Sequence, residues 1–224
     1  MNVLVTGSSR GLGREIIKEF ASHGFDCIIN YNNSEQEALG LEKEVKNIVN
    51  VRLIKCDVSN EEEVKNMFDK IEHLDILINN AAIASDKDPL EKSAVEFNKI
   101  LETNLTGTFL VTKYALEKMD NGSIINISST NGIDTYYPES IDYDASKAGI
   151  ISLTHNFAKY LTDIRVNCIC PDWIDTEMNK EMADDYRKQI NFIKASDLAK
   201  IVYRVALDKN INDQIIKVGD KSAR

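Results

Sequence analysis

The feature that most constrains the fold is a glycine-rich turn after an apolar run at the start of the chain. Residues 3–5 are apolar without alternation, a pattern typical of a strand that a parallel sheet buries on both faces. Gly7, Gly11 and Gly13 follow, and a helical pattern starts at about Leu12. Glycine permits positive φ and close phosphate approach, and a helix N-terminus attracts anions. The stretch predicts a dinucleotide site, although a tight strand-to-helix turn without a ligand would look the same.

Strand-like and helical patterns alternate along the whole chain. Further strands are predicted at residues 27–29, 51–55, 76–78, 123–127, 165–169 and 215–218. A chain of 224 residues is most simply one domain, and this one contains no internal repeat. We therefore expect a single α/β domain over residues 1–224, built as a doubly wound, Rossmann-like parallel sheet.

Composition and charge limit the partners. The formal net charge of −9 disfavours a nucleic-acid backbone or an anionic membrane, since both attract basic surfaces. No leader-like segment precedes the first strand and no apolar run is long enough to span a membrane, so we expect a cytoplasmic protein. The four cysteines lie in apolar stretches and are expected as buried free thiols. Cys168 and Cys170 could form half of a metal site, but no second pair is near, so we expect no metal.

The end of the second strand bears on the choice between NAD and NADP. Tyr31 and Asn32 lie where the adenosine ribose would be. An NAD site usually carries an acidic residue about 20 positions beyond the glycines. None is present there, because the first candidate, Glu35, falls in a predicted capping box over residues 34–37. With Arg10 in the glycine turn, NADP is favoured over NAD. The alternative for Arg10 is a solvated surface residue.

Two more strand ends carry candidate cofactor contacts. Asp57 and Val58 follow the third strand, at the edge where ligands bind in open parallel sheets. Asp57 suits an adenine contact or a turn. Asn80, Ala81 and Ala82 follow the fourth strand, and such small residues let a backbone and a cofactor approach each other closely.

The second half of the chain adds polar residues in unusual places. Helical periodicity over residues 91–119 includes Asn104 and Gly107, which disfavour a helix interior and predict a kink. Ser129 lies at the end of the fifth strand. Tyr143 and Lys147 lie four residues apart on one helix face, a spacing that also occurs by chance.

Five of these signals, in this order, resemble the short-chain dehydrogenase/reductase family over nearly the whole chain. The glycine turn is similar to its cofactor motif and residues 79–81 to its Asn-Asn-Ala-Gly motif. Asn104 and Ser129 are similar to its catalytic Asn and Ser, and residues 143–147 to its Tyr-x-x-x-Lys motif. Within the family the sequence looks closest to the 3-oxoacyl-acyl-carrier-protein reductases.

The resemblance implies an NAD(P)H-dependent oxidoreductase that reduces a carbonyl to an alcohol or runs the reverse reaction, with a 3-oxoacyl thioester as the first substrate to test. Tyr143 would exchange the proton. Lys147 would lower the pKa of that phenol and hold the nicotinamide ribose. Ser129 would orient the carbonyl, and Asn104 would hold a water in a proton relay.

The resemblance also implies the remaining contacts and the assembly. Further cofactor contacts are expected from Ser9, Arg10, Leu12, Pro171, Ile174 and Thr176. A substrate lid is expected at about residues 177–195. The long helices near 97–119 and 143–161 resemble those through which family members pair, so a homodimer or homotetramer is expected.

Some positions depart from the family pattern. Ala82 replaces a glycine, and Asp172 replaces the glycine of a Pro-Gly motif, where a carboxylate repels a diphosphate unless it points to solvent. The spacing from Ser129 to Tyr143 is one residue longer than usual, and residues 218–220 match the family's Asp-Gly-Gly ending only in part. These departures keep a second hypothesis open, a cofactor-binding protein that has lost catalysis and acts as a regulatory or interaction subunit.

Overall fold

The computed structural model describes residues 1–179, 188 and 190–219, in which strands alternate with helices. In chain order the elements are β1 (Asn2–Val5), α1 (Gly11–Ser22), β2 (Asp26–Tyr31), α2 (Glu35–Val45), β3 (Val51–Lys55), α3 (Glu61–Phe68), β4 (Ile76–Asn79), α4 (Ala94–Leu101), α5 (Gly107–Ala115), β5 (Gly122–Ile127), α6 (Ile141–Tyr160), β6 (Ile164–Pro171), β7 (Ile174–Asp175), β8 (Ile193–Lys194), α7 (Ala195–Leu207) and β9 (Ile215–Val218). A π-helical turn, Glu102–Thr106, joins α4 to α5.

Seven strands form one parallel sheet in the order β3-β2-β1-β4-β5-β6-β9. Val3 of β1 pairs with Cys27 of β2 on one side and with Ile76 of β4 on the other. The chain runs outward from β1 to β3 and then returns to β4, so the strand order reverses between β1 and β4. Such a reversal opens a crevice at the carboxyl ends of the strands, where ligands bind. The predicted doubly wound sheet and its seven strands are confirmed.

The central strands alternate their side chains between two helical layers. Val3 and Val5 pack in one core with α1, α2 and α7. Leu4 and Leu77 pack in the other core with α3, α5 and α6. Because helices cover both faces, residues 3–5 of β1 and 76–78 of β4 are all apolar, which explains their lack of alternation.

The break predicted in the helix over residues 91–119 is the π-helical turn. Within it, the N–H of Gly107 donates to the carbonyl of Glu102, five residues back, which widens one turn of the helix. A Cβ on Gly107 would lie 2.9 Å from Cγ2 of Val58, so this glycine lets α5 pack closely on the segment after β3. The predicted cofactor contact Val58 is therefore buried against this helix.

The capping box predicted over residues 34–37 is wrong. Ser34 precedes α2, but its side chain makes no capping hydrogen bond. Its ψ of 62° departs from the extended conformation in which an N-cap side chain reaches back to the helix. A complete capping box forms elsewhere, between Ser93 and Glu96 at the start of α4.

The segment expected to form a lid, residues 177–195, is described only at its ends. Residues 180–187 and 189 lie outside the described part of the chain, and so does Asp220 of the terminal motif. Residues 177–179 form a short 3₁₀ turn. At the other end, β8 pairs with β7 in parallel through Ile193 and Ile174, which ties the two ends of the segment together.

The four cysteines are buried free thiols, as predicted. Among the residues that the structure describes, no helix is both long and apolar enough to cross a membrane. The described residues also contain no group of three or more His, Cys, Asp or Glu side chains placed to hold a metal ion.

Two leucines test the two-sided core. Leu77 of β4 is fully buried, whereas Leu90, in the loop before α4, is 96% exposed. We expect Leu77→Ala to lower the free energy of unfolding by about 3 kcal/mol, because it deletes buried methyl groups and leaves a cavity. The matched change Leu90→Ala should alter it by less than about 0.5 kcal/mol. Urea unfolding followed by circular dichroism measures both, and equal losses would contradict the described packing.

Candidate active site

The glycine turn after β1 is held in place by Asn30 at the end of β2. Gly7 and Gly11 have φ of +60° and +56°, which favours glycine. The N–H of Gly7 donates to Oδ1 of Asn30 at 3.0 Å, and the N–H of Ser8 donates to its carbonyl at 2.9 Å. Nδ2 of Asn30, a buried residue, donates to two carbonyls at the end of β3. Sequence reasoning missed this residue, whose one signal is a polar side chain at the end of an apolar strand.

The same turn is joined to β4 on its other side. Oγ1 of Thr6 accepts hydrogen bonds from the N–H groups of Asn80 at 2.9 Å and Ala81 at 3.0 Å. Nδ2 of Asn80 donates to the carbonyls of Thr6 and Gly7. A Cβ on Gly7 would lie 2.9 Å from Cα of Ala81, and one on Gly13 would lie 2.6 Å from Nδ2 of Asn80. Gly13 is therefore required because α1 packs closely against Asn80 and the start of the turn, and not by a positive φ.

The other predicted contacts of the turn surround the N-terminus of α1. Ser9 and Leu12 are buried, and Arg10 is exposed at the N-cap position, where its side chain makes no capping bond. A Cβ on Gly11 would lie 3.6 Å from Cγ2 of Thr176, so the segment after β7 reaches the turn. The first turn of α1 carries no acidic residue, which leaves its N–H groups suited to an anion.

The candidate ribose and adenine contacts lie where β2 and β3 end. Nδ2 of Asn32 donates to Oδ2 of Asp57 at 2.9 Å, and the N–H and hydroxyl of Ser59 donate to Oδ1 of Asp57. Burial raises the pKa of Asp57, but these hydrogen bonds outweigh it and hold that pKa below its usual range. Asp57 thus acts as a turn residue that also fixes Asn32.

Glu35 lies closer to this region than the sequence indicated. The hydroxyl of Tyr31 donates to Oε1 of Glu35 at 3.4 Å. Burial raises the pKa of Tyr31, and the Glu35 carboxylate raises it further. The carboxylate predicted to lie in a helix cap therefore lies beside a predicted ribose contact.

Three of the four predicted catalytic residues converge at the carboxyl end of β5. Nζ of Lys147 is buried and donates to the carbonyl of Ile127 at 2.9 Å. It lies 5.3 Å from the ring centroid of Tyr143, one turn earlier on α6. Ser129 shares a hydrogen bond with the Tyr143 hydroxyl. The hydroxyl of Ser128 instead donates to the carbonyl of Lys147 at 2.8 Å, so Ser129 is the serine that faces Tyr143.

The longer connection between Ser129 and Tyr143 contains two 3₁₀ turns, Thr130–Gly132 and Pro138–Ser140. A Cβ on Gly132 would lie 2.7 Å from the carbonyl carbon and oxygen of Lys147, so this glycine lets the loop press against α6. The ring of Tyr137 packs at 5.8 Å from that of Trp173, which follows β6. The loop and the segment after β6 therefore meet beside the predicted catalytic residues.

The two ionisable groups of this cluster have shifted pKa values. Burial raises the pKa of Tyr143 to about 12, the hydrogen bond with Ser129 opposes the shift, and the Asp144 carboxylate adds to it. Burial lowers the pKa of Lys147 to about 8. The expectation that Lys147 lowers the pKa of Tyr143 therefore differs from the structure, in which burial has the larger effect. Tyr143 is protonated at neutral pH and able to donate a proton.

Asn104 lies buried in the π-helical turn. Its Nδ2 donates to the carbonyl of Ile83 at 2.9 Å and to Oγ of Ser146 at 3.1 Å, and its Oδ1 accepts from the N–H of Ile83 at 2.8 Å. The side chain thus joins the segment after β4 to Ser146 of α6, the residue that precedes Lys147. The role of Asn104 in a proton relay stays a prediction.

The departures from the family pattern take specific positions. Ala82 is half-buried after β4, and Pro171 is the buried last residue of β6. Oδ1 of Asp172 accepts a hydrogen bond from the N–H of Trp173 at 3.0 Å, and the N–H of Asp172 donates to the carbonyl of Val218. This carboxylate is therefore engaged by its own backbone turn.

A buried ion pair that sequence reasoning missed anchors the start of α6. Nζ of Lys92 lies 2.7 Å from Oδ1 of Asp142, and both side chains are almost fully buried. Lys92 also donates to the carbonyls of Ser85 and Glu139. Oδ1 of Asp142 accepts from the N–H of Tyr143. The pair joins residues 50 positions apart in the sequence, a distance at which spacing patterns carry no signal.

Comparison with known proteins agrees with this architecture. The family model described as short chain dehydrogenase matches residues 1–187. The chain is 36% identical to the 3-oxoacyl-acyl-carrier-protein reductase FabG of Aquifex aeolicus over 217 residues, covering 89% of this chain and 87% of that protein. It is 33% identical over 225 residues to the FabG of Staphylococcus aureus strain Mu50, covering 93% and 91%.

A solved structure is similar over almost the whole chain. The short chain dehydrogenase from Burkholderia cenocepacia, in complex with NADP, superposes with a TM-score of 0.92 and 27% identity, covering 97% of this chain and 95% of that one. The chain therefore belongs to the short-chain dehydrogenase/reductase family of oxidoreductases. The predicted family is confirmed.

The low pKa of Lys147 predicts a pH-dependent stability. An unfolded lysine keeps its proton up to about pH 10.4, whereas folded Lys147 releases it at about 8. Between these values the unfolded state binds more protons, so stability rises with pH. Relative to Lys147→Met, we expect the free energy of unfolding of the natural chain to rise by about 2 kcal/mol between about pH 8 and about pH 10. Urea unfolding across this range measures the difference, and a constant difference would contradict the low pKa.

Proposed function

We propose that this protein reduces the carbonyl of a 3-oxoacyl thioester to an alcohol with NADPH, or runs the reverse reaction. The observation that carries the proposal is the convergence of Ser129, Tyr143 and Lys147 at the carboxyl end of β5, on the same edge of the parallel sheet as the glycine turn. The two FabG relatives favour this substrate class. The NADP in the Burkholderia structure favours the cofactor.

The residues around the turn fit a dinucleotide. Gly7 and Gly13 let the turn pack against Ala81 and Asn80 where a Cβ would collide, and the first turn of α1 carries no acidic residue to repel a diphosphate. Contacts to NADP are assigned to the turn, to Tyr31 and Asn32, to the small residues after β4, and to the segment from Pro171 to Thr176. Arg10 is exposed at the N-cap of α1 and would bind a 2′-phosphate.

The proposed chemistry follows from the geometry of the cluster. When bound, the nicotinamide supplies the hydride. Tyr143 donates its proton to the carbonyl oxygen, and Ser129 helps to hold that oxygen in place. The charge of Lys147, fixed by the carbonyl of Ile127, stabilises the phenolate that remains. Asn104 is assigned the relay that returns a proton.

We also propose that the chain forms a homodimer or homotetramer through α5 and α6. Phe109 on α5 is 42% exposed and stacks on Phe157 of α6, with ring centroids 6.3 Å apart. Tyr160, at the end of α6, is 80% exposed. Aromatic side chains of this kind are enriched where protein surfaces associate.

Replacing the proton donor tests the reaction. We expect Tyr143→Phe to lower kcat for NADPH-dependent reduction of an acetoacetyl thioester by about 10²–10⁴-fold, because it removes a general acid. The dissociation constant of NADPH should change by less than about threefold, since the ring remains. Absorbance measures turnover and fluorescence measures binding. If the natural chain bound NADPH but reduced no carbonyl in a broad panel, the regulatory or interaction subunit would replace this proposal.

A second substitution tests the choice of cofactor. We expect Arg10→Ala to lower kcat/KM for NADPH by about tenfold and to leave that for NADH unchanged, because it removes a charged hydrogen bond to the 2′-phosphate. Arg14→Ala is the matched control, since Arg14 lies one turn further along α1 and is paired with Glu44. Equal losses with both cofactors would show that Arg10 is a surface residue with no role in selectivity.

A further inference from the structure

The first turn of α6 contains Tyr143, but its N-cap residue does not cap it. Ser140 is the N-cap, and the N–H of Tyr143, at the third helical position, is among those that a helix leaves without an internal acceptor. A serine N-cap normally accepts such a bond in an extended conformation. Here the ψ of Ser140 is 30°, and its hydroxyl lies 3.2 Å from the carbonyl oxygen of Tyr137 and 3.2 Å from Oδ1 of Asp144, which Asn131 also binds. Ser140 is therefore engaged away from the N–H groups of the helix.

The side chain of Asp142 supplies the acceptor that Ser140 does not. Its Oδ1 accepts a hydrogen bond from the N–H of Tyr143 at 2.9 Å and another from the ammonium of Lys92 at 2.7 Å. Within the part of the chain that the structure describes, Oδ2 of Asp142 is buried without a hydrogen-bond partner. Both bonds of the carboxylate thus use one oxygen, so Lys92 determines where the acceptor for Tyr143 lies.

Lys92 is itself held on several sides. The side chains of Lys92 and Asp142 are 2% and 0% exposed. Lys92 also donates to the carbonyl of Ser85, in the segment after β4, at 2.8 Å and to that of Glu139, in the loop before α6, at 3.2 Å. A buried charge is costly unless its hydrogen bonds are satisfied, so the ammonium has little freedom to move. Lys92 therefore ties the first turn of α6 to two neighbouring segments.

We propose that Asp142, held by Lys92, is a positioning residue for Tyr143. A hydrogen bond to the N–H of Tyr143 keeps the first turn of α6 from fraying, and so fixes the direction in which the phenol leaves the backbone. The bond from Lys147 to Ile127 fixes the following turn. This inference rests on the proposed function, in which a displacement of the proton donor by about 1 Å lowers the rate by up to about 10²-fold.

Two double variants separate this role from simple stabilisation. The asparagine variant, Lys92→Met with Asp142→Asn, removes both charges and keeps an oxygen that can accept the N–H of Tyr143. The leucine variant, Lys92→Met with Asp142→Leu, also removes both charges but puts a methyl group in place of that oxygen. Because neither variant leaves an unpaired buried charge, both should fold, with urea midpoints within about 0.5 M of each other. The two variants therefore differ in the acceptor alone.

Kinetics and amide exchange together test the inference. We expect the asparagine variant to keep kcat within about threefold of the natural chain and the leucine variant to lose about tenfold, with KM changed less than about twofold in both. In chains labelled with ¹⁵N-tyrosine, the Tyr143 amide signal is assigned by its loss in Tyr143→Phe. Exchange of this amide with solvent should be at least about tenfold faster in the leucine variant than in the asparagine variant.

An exposed ion pair provides the matched control. Nζ of Lys200 lies 2.9 Å from Oδ1 of Asp197 on the surface of α7, and both side chains are more than half exposed. We expect Lys200→Met with Asp197→Leu to change kcat by less than about twofold and to leave the exchange of the Tyr143 amide unchanged, because an exposed pair contributes little.

Two results would overturn the inference. One is a leucine variant whose kcat equals that of the asparagine variant, which would mean that the acceptor at position 142 does not act on the reaction. The other is a Tyr143 amide that exchanges equally fast in the two variants, or that exchanges in the natural chain as fast as in an unstructured peptide. The exchange measurements need neither substrate nor cofactor. An inactive natural chain would therefore reject the proposed function, while exchange still decides whether Asp142 holds Tyr143.

Discussion

The hydrogen bond from the Lys147 ammonium to the carbonyl of Ile127 is the interaction on which the site depends. A buried charge is costly unless it is hydrogen-bonded, so Lys147 holds its helix against the end of β5. Ser128 returns a bond from the strand end to the Lys147 backbone, and Gly132 lets the following loop come close. With the helix fixed in this way, Tyr143 and Ser129 meet.

Buried polar residues beneath the site connect the strands to the helices. Nδ2 of Asn79 donates to Asn126 in the neighbouring strand and to Thr112 of α5, and Asn126 donates to Thr154 of α6. Such networks specify one arrangement of elements, because each lost partner leaves a buried polar atom unsatisfied. These hydrogen bonds, together with hydrophobic contacts, hold α6 in register with the sheet.

The two halves of the site are stabilised by different means. The proposed cofactor side is a backbone structure, in which Asn30 and Asn80 bind the peptide groups of the glycine turn and Thr6 binds those of Asn80 and Ala81. The proposed catalytic side is a structure of side chains, in which Asp142 and Asp144 flank Tyr143 and are each engaged by residues outside α6. A substitution on the first side alters the shape of the glycine turn. A substitution on the second side alters the protonation and orientation of the Tyr143 side chain.

The sequence by itself determined the alternation of apolar strands with helices, the glycine turn and the helix break near Asn104. It also determined the spacing that places Tyr143 and Lys147 on one helix face. These features repeat at short range, because strands, turns and helices have fixed periods. Tertiary structure alone decided which partners meet over long range: Lys92 with Asp142, Asn30 with the glycine turn, and Asn131 with Asp144. It also placed the Glu35 carboxylate beside the Tyr31 hydroxyl and not in a helix cap. Burial, which is likewise tertiary, became the main influence on the pKa of Tyr143. Burial and electrostatic environment depend on the packing of whole layers, which no local pattern contains.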